Sequence, residues 1–172
     1  MSRSGLGSIA TSLAKLSSEL STNPTPEKQG GCLVRMSGDL TKGGDFTWYS
    51  EVIGSVPQNE KLARYQRFAP EKVFRTYAEW LRNPETSFSS WQTRDESTNK
   101  YGGAVLFQRA NGTPEVISFS GLKEHIDESL VLVLGYHLGI LLHERLQRVL
   151  ETSQNPSFEE MFAKAKERKI IV

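Results

Sequence analysis

Residues 101–139 constrain the fold more than any other part of the chain. They contain two short apolar segments, Ala104 to Arg109 and Glu115 to Phe119, separated by the pair Asn111-Gly112. An Asn-Gly pair accommodates the positive φ angles that a tight two-residue hairpin turn requires. The sequence therefore predicts a β-hairpin here, and the apolar run that begins at Leu130 predicts a helix packed against it.

That helix is predicted to be long and buried. From Lys123 to about Glu151 the sequence favours a single helix, roughly 40 Å in length at 1.5 Å per residue. Its middle is apolar on nearly all sides, which is typical of a helix enclosed by protein. The apolar run from Leu130 to Leu142 is shorter than the roughly 20 residues that a membrane span needs. We therefore expect no membrane segment.

The remaining elements place the chain in the α+β class. The sequence predicts a helix at 6–20, a hairpin within 32–53, helical structure over 57–83 and a strand at 86–93. The predicted order is a mostly antiparallel sheet of about five strands with helices packed on it. We expect one domain over 1–155, followed by a C-terminal helix and apolar tail at 156–172.

Composition and charge exclude several classes of protein. The chain has 172 residues and a net charge of +1, which gives no electrostatic case for a dedicated nucleic-acid or anionic-membrane protein. The basic run from Lys61 to Arg75 encloses Tyr65 and Phe68, a combination found in nucleic-acid sites, but a solvated helix surface is the preferred interpretation. Cys32 is the only cysteine, so no internal disulfide forms. An unpaired thiol fits a reducing compartment, and we expect a soluble, cytoplasmic protein.

The strand-to-helix junction is the first candidate ligand site. Ser120-Gly121 ends the predicted second strand just before the helix. Free N–H groups and the positive end of the helix dipole favour an anion at such a point. Ser120 could equally be an ordinary N-cap. Asp127 and Glu128 follow in the first turns, where acidic side chains either complement the dipole or contact a ligand, and could act as a general base.

Two glycines before the hairpin are the second candidate. Gly102 and Gly103 would let a ligand approach the backbone closely, or would simply form a turn or bulge. We include both glycines, with Ser120, Gly121 and Asp127, in the predicted ligand-binding set. No catalytic residue is predicted, because the sequence contains no nucleophile–base pair at a recognisable spacing, no phosphate-binding loop and no dinucleotide fingerprint.

The three histidines bear on metal and heme binding. His137 and His143 are six residues apart, so a helix would point them to different sides, whereas a two-histidine metal face needs a separation of three or four. His137 is interpreted as a hydrogen-bonded core or interface residue. No metal site is predicted. An axial heme ligand at His125, His137 or His143 remains open, and heme is the one cofactor considered.

Gly135 and Gly139 are four residues apart on the predicted long helix. Small residues at this spacing let two helices approach closely, and here they suggest a homo-oligomer formed through that helix. The alternative is that the glycines pack against the sheet of the same chain.

Tyr101-Gly102-Gly103-Ala104, the hairpin, Ile117 to Leu122 and Asp127-Glu128 together resemble the GlcG/HbpS-like family. The resemblance covers roughly Leu6 to Leu150. It implies a profilin-like α/β/α arrangement and self-association, in a family that includes heme-binding proteins and a domain attached to a corrinoid adenosyltransferase. The first hairpin departs from the family pattern, because its glycine loop is longer and the acidic residue that often follows its first strand is missing.

Three functional hypotheses follow. The first is a non-enzymatic, self-associating ligand-binding or sensor-like domain for heme or a small anionic molecule. The second is an interaction or assembly protein with no small ligand. The third is an enzyme that uses Asp127 or Glu128 as a base. The sequence favours them in that order.

Overall fold

A computed structural model describes residues 3–20, 29–41, 43, 46–56 and 59–172. The helices are α1 (Arg3–Leu20), α2 (Glu60–Arg82), α3 (Glu124–His137), α4 (His143–Ser153) and α5 (Phe158–Glu167). The strands are β1 (Gln29–Ser37), β2 (Thr47–Ser55), β3 (Ala104–Gln108) and β4 (Pro114–Ser120). Two short 3-10 turns, Ser90–Thr93 and Glu96–Thr98, connect α2 to β3. Two prolines and two glycines within 23–31 predict a loop there. Residues 23–28 lie outside the described part of the chain, and the prediction is wrong for residues 29–31, which belong to β1.

The described strands form one antiparallel open sheet in the order β2-β1-β4-β3. Alternate residues of the strands face opposite sides of a sheet, and both sides are buried here. Val34, Leu106 and Val116 pack under Ala69 and Val73 of α2. On the other side, the strands pack against α1 and α3, and α5 packs on these two helices. The predicted α+β class, with helices packed on an antiparallel sheet, is confirmed.

The strand predicted at 86–93 is wrong, so the described sheet has four strands rather than about five. Gln92 explains the difference, because its Oε1 accepts hydrogen bonds from the backbone N–H groups of Phe88 and Ser89 at 2.8 and 3.1 Å. Together with the Ser89 side chain, these bonds form a capping box that turns the chain into a 3-10 turn. Only an isolated bridge between Ser89 and Val105 remains of the predicted pairing.

The prediction of one long helix from Lys123 to Glu151 is also wrong. α3 ends at His137 and α4 begins at His143. Gly139 lies between them with φ of +68°, a left-handed conformation that ends helices. The carbonyl of Gly135 closes the turn by accepting from Ile140 and Leu141 at 3.0 and 3.1 Å. Gly135 and Gly139 therefore do not share a helix, and the close helix contact that their spacing predicted has no helix on which to form.

Gly135 packs against the sheet of its own chain. A Cβ at this position would lie 2.5 Å from the ring of Phe107 in β3. This close approach is the alternative that the sequence left open for the glycine pair. Self-association remains a prediction, but the structure provides no helix carrying both glycines through which it could occur.

The C-terminal segment is part of the main core. Phe158, Met161 and Ala165 of α5 are buried against α1 and α3, and Ile171 of the tail is 4% exposed. The apolar tail thus packs on the same chain. Among the described helices, none combines the length and the apolar character needed to cross a membrane.

Candidate ligand cleft at the junction of β4 and α3

A cleft of about 780 Å³ opens where β4 ends and α3 begins. α2 forms one wall, and the 3-10 turns and the start of α3 form the other. Ser120, Gly121 and Asp127 of the predicted ligand-binding set line this cleft. Gly102 and Gly103 do not line it, although both are buried close behind its walls.

Ser120 is not the N-cap of the helix. It is the last residue of β4, and the N-cap of α3 is Lys123, which has no side-chain hydrogen bond to the first turn. The alternative that Ser120 is an ordinary N-cap is therefore wrong. Asp127 holds the turn instead, because its Oδ1 accepts from the backbone N–H of Leu122 at 2.9 Å.

A buried ion pair lies at the floor of the cleft. Lys72 is 1% exposed, and its Nζ donates to Asp127 Oδ2 at 3.1 Å and to the carbonyl of Phe119 at 2.8 Å. These bonds join the middle of α2 to the end of β4 and the first turn of α3. Burial raises the pKa of the Asp127 carboxyl to about 6, although the Lys72 ammonium acts to lower it.

Glycines allow this packing. Gly103 has φ of +102°, and a Cβ there would lie 2.7 Å from Cβ of Asp127 and 3.1 Å from Nζ of Lys72. A Cβ on Gly121 would lie 2.3 Å from the carbonyl oxygen of Gly30 in β1. Both positions therefore exclude a side chain for reasons of packing.

Trp91 and His125 form a stacked pair in the cleft wall. Their ring centroids are 4.7 Å apart, with an angle of 20° between the planes. Gly102 lies against this pair, since a Cβ on it would be 2.4 Å from the indole ring. The guanidinium of Arg94 makes a cation–π contact with Trp91, at 5.2 Å from the ring centroid. Its Nε donates a hydrogen bond to the carboxylate of Glu124 at 2.8 Å.

α2 supplies the opposite wall. Arg64, Tyr65 and Phe68 line the cleft, and the ring of Tyr101 meets that of Phe68 edge-on at 5.3 Å between centroids. The basic run from Lys61 to Arg75, which was predicted to be a solvated surface, is therefore only partly exposed. Lys72 is buried, and Arg75 is enclosed, where its guanidinium donates to the backbone carbonyls of Ser90, Thr93 and Tyr101.

Charges around the cleft are mixed. Four basic side chains, Arg64, Lys72, Arg94 and Lys123, and three acidic ones, Glu96, Glu124 and Asp127, line it. Lys72 pairs with Asp127, and Arg94 pairs with both glutamates. Arg64 and Lys123 enter none of the ion pairs found among the described residues. The unpaired charges at the rim are therefore positive.

The histidines occupy three different environments. Burial lowers the pKa of His125, so this imidazole is neutral at pH 7. His137 is partly buried at the end of α3, and neither ring nitrogen has a hydrogen-bond partner in the described part of the chain, so its predicted hydrogen bonds are not made within that part. His143 is exposed. No group of three or more His, Cys, Asp or Glu side chains among the described residues could hold a metal ion.

Glu128 lies outside the cleft in a separate buried network. Its Oε1 accepts from Ser153 Oγ at 2.6 Å and from Asn155 Nδ2 at 3.0 Å, which ties α3 to the end of α4. Burial raises the pKa of this carboxyl to about 7, against these hydrogen bonds, which lower it. Glu128 therefore links helices and does not line the candidate site.

Sequence reasoning missed most of the cleft wall, and two signals could have located part of it. Ser89 and Gln92 have capping-box spacing, which would have replaced the predicted strand with a turn presenting Trp91. Lys72 follows Phe68 at the i, i+4 spacing of the buried stripe of α2, which marks a lysine aimed at the core. Nothing in the sequence pairs Trp91 with His125.

Comparisons with known proteins give this chain no relative. No family model matches, and neither the curated proteins nor the solved structures contain a significant match.

Proposed function

We propose that this protein is a non-enzymatic ligand-binding or sensor-like domain whose small-molecule ligand lies in the cleft at the β4–α3 junction. One observation carries the proposal: five ring side chains converge on a single cleft of about 780 Å³, namely those of Tyr65, Phe68, Trp91, Tyr101 and His125. Ligand sites commonly have volumes of about 300–1,000 Å³ and are lined mainly by apolar and aromatic groups with a few polar ones.

The ligand class is a planar, aromatic anion. Rings on both walls suit a flat molecule, because aromatic side chains stack on π-systems. Arg64 and Lys123 supply positive charge at the rim for a carboxylate or phosphate. The uncapped N-terminus of α3 adds backbone N–H groups in the same region.

Heme is one molecule of this class, and the residues present fit it. His125 is neutral at pH 7 and lines the cleft, so it is the candidate axial ligand. Arg64 and Lys123, which line the cleft and enter none of the ion pairs found among the described residues, are the candidate partners for the propionates. Bound heme would supply an iron centre for binding or sensing a small gas or an oxidant.

The resemblance to the GlcG/HbpS-like family supports the same proposal. The motif residues Ser120, Gly121 and Asp127 line the cleft. The layers of α2 on one side of the sheet and α1 with α3 on the other are compatible with the profilin-like α/β/α arrangement that this family has. We propose this arrangement as the finer description of the fold.

An assembly protein without a small ligand is the second candidate. It is supported by an aromatic pair beside β2, in which the exposed ring of Phe74 stacks on the partly buried ring of Trp48 at 5.3 Å between centroids. An enzyme with Asp127 or Glu128 as base has less support. Both oxygens of Asp127 accept structural hydrogen bonds, and Glu128 lies outside the cleft.

Titration calorimetry with hemin, a corrinoid and short aromatic carboxylates tests the proposal. We expect saturable binding by at least one probe, and a loss of affinity of at least about tenfold in an Arg64→Gln/Lys123→Gln protein, because these are the unpaired positive charges of the cleft. Arg82→Gln is the matched control, because Arg82 is an exposed arginine of α2 that lies away from the cleft. Equal affinity in all three proteins would place the ligand elsewhere, and no binding by any probe would contradict the ligand class.

This design replaces the more obvious blocking variant Gly121→Trp. A side chain at Gly121 would collide with the backbone of β1 before it reached the cleft. Such a variant would therefore report on folding rather than on binding.

A further inference from the structure

The two edges of the sheet differ in how they are covered. β3 forms one edge, and the segment beside it protects it: Leu106 donates a backbone hydrogen bond to the Phe88 carbonyl at 2.8 Å, and Ser89 bridges to Val105. β2 forms the other edge. Among the described residues, β2 pairs with β1 alone.

Most of β2 lacks the features that usually keep an edge strand from pairing. Proteins blunt such edges with short strands, bulges, lysines or prolines. β2 is nine residues long, and its sequence Thr47–Ser55 contains no lysine, arginine or proline. Its one charged residue is Glu51, and its extended backbone is interrupted only near the end, at Gly54 with φ of +68°. Residues 47–53 therefore present about 23 Å of backbone that can accept another strand.

An apolar shelf lies beside this edge, on the side of the sheet that carries α2. Trp48, Ser50 and Val52 are all on this side, because alternate residues of a strand share a face. The Ser50 hydroxyl identifies the side, since it lies 3.8 Å from the thiol of Cys32, which belongs to the α2-side core. Val52 is 38% exposed and Phe74 of α2 is 50% exposed. Phe74 stacks on Trp48, and the exposed ring of Phe46 lies 6.5 Å from that of Trp48.

We propose that β2 is the interface of a homodimer, in which a second copy of this chain adds its own β2 antiparallel to the first. The strand is self-complementary about Ser50. With Ser50 on the two-fold axis, Trp48 lies opposite the partner's Val52, and the same pair forms again on the other side of the axis. The two shelves then meet in one apolar cluster with Phe74 from each copy.

Repulsion between glutamates favours this register over the one with its two-fold axis at Glu51. A two-fold axis at Glu51 would place two carboxylates directly opposite each other, which destabilises antiparallel pairs. The axis at Ser50 places Glu51 opposite the partner's Tyr49 instead. The two glutamates are then offset along the strands.

The surface available is of the size of a weak, reversible interface. With the axis at Ser50 the two strands overlap over residues 47–53, which is about 23 Å, and a strand with the adjacent helix layer is about 20 Å across. The footprint is then roughly 450 Å² for each copy, or about 900 Å² in total, below the standard size for specific interfaces and in the range of transient ones. We therefore expect a dimer with a dissociation constant of tens of micromolar.

Sedimentation of the full chain tests whether a second copy binds at the β2 edge. We expect a monomer–dimer equilibrium for the wild type, shifted by at least about tenfold toward monomer in Val52→Lys, because a lysine on the shelf buries a charge at the interface. Leu142→Lys is the matched control, since Leu142 is 63% exposed and far from β2 in the chain. A monomeric wild type at about 0.1 mM, or equal dimerisation of Val52→Lys and wild type, would overturn the proposal.

A cysteine on the two-fold axis tests the register. In a Cys32→Ala background, Ser50→Cys should form an intermolecular disulfide under mild oxidation, because directly opposed antiparallel residues have Cα atoms about 4.5–5.5 Å apart. Val52→Cys in the same background is the control. Its two copies would be offset by about 13 Å along the strands and should not cross-link. Failure of Ser50→Cys to cross-link, or faster cross-linking of Val52→Cys, would overturn this register.

Discussion

At the scale of single residues, Asp127 and Glu128 are adjacent in sequence and both buried, yet their partners differ in charge. Asp127 faces an ammonium, whereas Glu128 accepts hydrogen bonds from the neutral groups of Ser153 and Asn155. Burial raises the pKa of both carboxyls. Replacing each carboxylate by its amide should therefore have opposite effects on stability.

Asp127→Asn should destabilise the fold by about 3 kcal/mol at pH 7.5, because it leaves the buried Lys72 ammonium without its counter-charge. Urea unfolding measures the change. The double variant Lys72→Met/Asp127→Asn removes both charges and keeps an acceptor for Leu122, so it should be more stable than Asp127→Asn alone. If the double variant is the less stable of the two, the ion pair does not have the role assigned to it.

Glu128→Gln should stabilise the protein at pH 8 by about 2–3 kcal/mol and change it little at pH 5. The folded-state pKa of about 7 lies above the ordinary value of 4.5. The stability contributed by Glu128 is therefore present below pH 4.5 and is lost as the pH rises through 7. Unfolding free energies of both proteins from pH 5 to 8 check this, and parallel pH profiles would contradict it.

At the scale of elements, the β3–β4 hairpin and the helices α1, α2 and α5 were predictable because their signals are local. Asn111-Gly112 marks a turn, and apolar spacing marks α1, α2 and α5. The break between α3 and α4 was not predictable from apolar content, because Gly139 alone carries the positive φ angle and the flanking residues stay apolar. Gln92 likewise redirects a strand-like segment with side-chain hydrogen bonds to the backbone.

The candidate site was predictable only in part, for the same reason. Ser120, Gly121 and Asp127 follow one another along the chain, so the sequence could place them together. Trp91, Arg94 and Tyr101 reach the cleft through tertiary contacts, which depend on the enclosed guanidinium of Arg75. The spacing of residues along the chain does not predict such contacts.

Gly135→Ala should destabilise the protein by about 1–3 kcal/mol, because its Cβ would overlap the Phe107 ring and force α3 away from β3. Thermal unfolding measures the change. Gly5→Ala is the matched control within a helix, since a Cβ there meets nothing within 4 Å and should stabilise α1 by about 0.5–1 kcal/mol. Equal effects at the two positions would mean that α3 is not packed closely on β3.

At the scale of the whole molecule, two different surfaces have different proposed tasks. One lies at the β4–α3 junction, where rings and cations converge on a cleft, and the other lies along β2. Because they occupy different parts of the sheet, a ligand in the cleft and a second copy at β2 do not compete for the same residues. Variants in one should leave the other unchanged.

Tryptophan fluorescence tests the central claim, that the cleft binds a planar anion. The chain has three tryptophans, and a Trp48→Phe/Trp80→Phe protein would retain only Trp91, in the cleft wall. Titration with hemin and with protoporphyrin IX should quench Trp91 to saturation, with an affinity reduced by at least about tenfold when Arg64 and Lys123 are replaced by glutamine. Emission from Trp91 that stays constant with both probes up to about 0.1 mM, or quenching unchanged by these two replacements, would contradict the account.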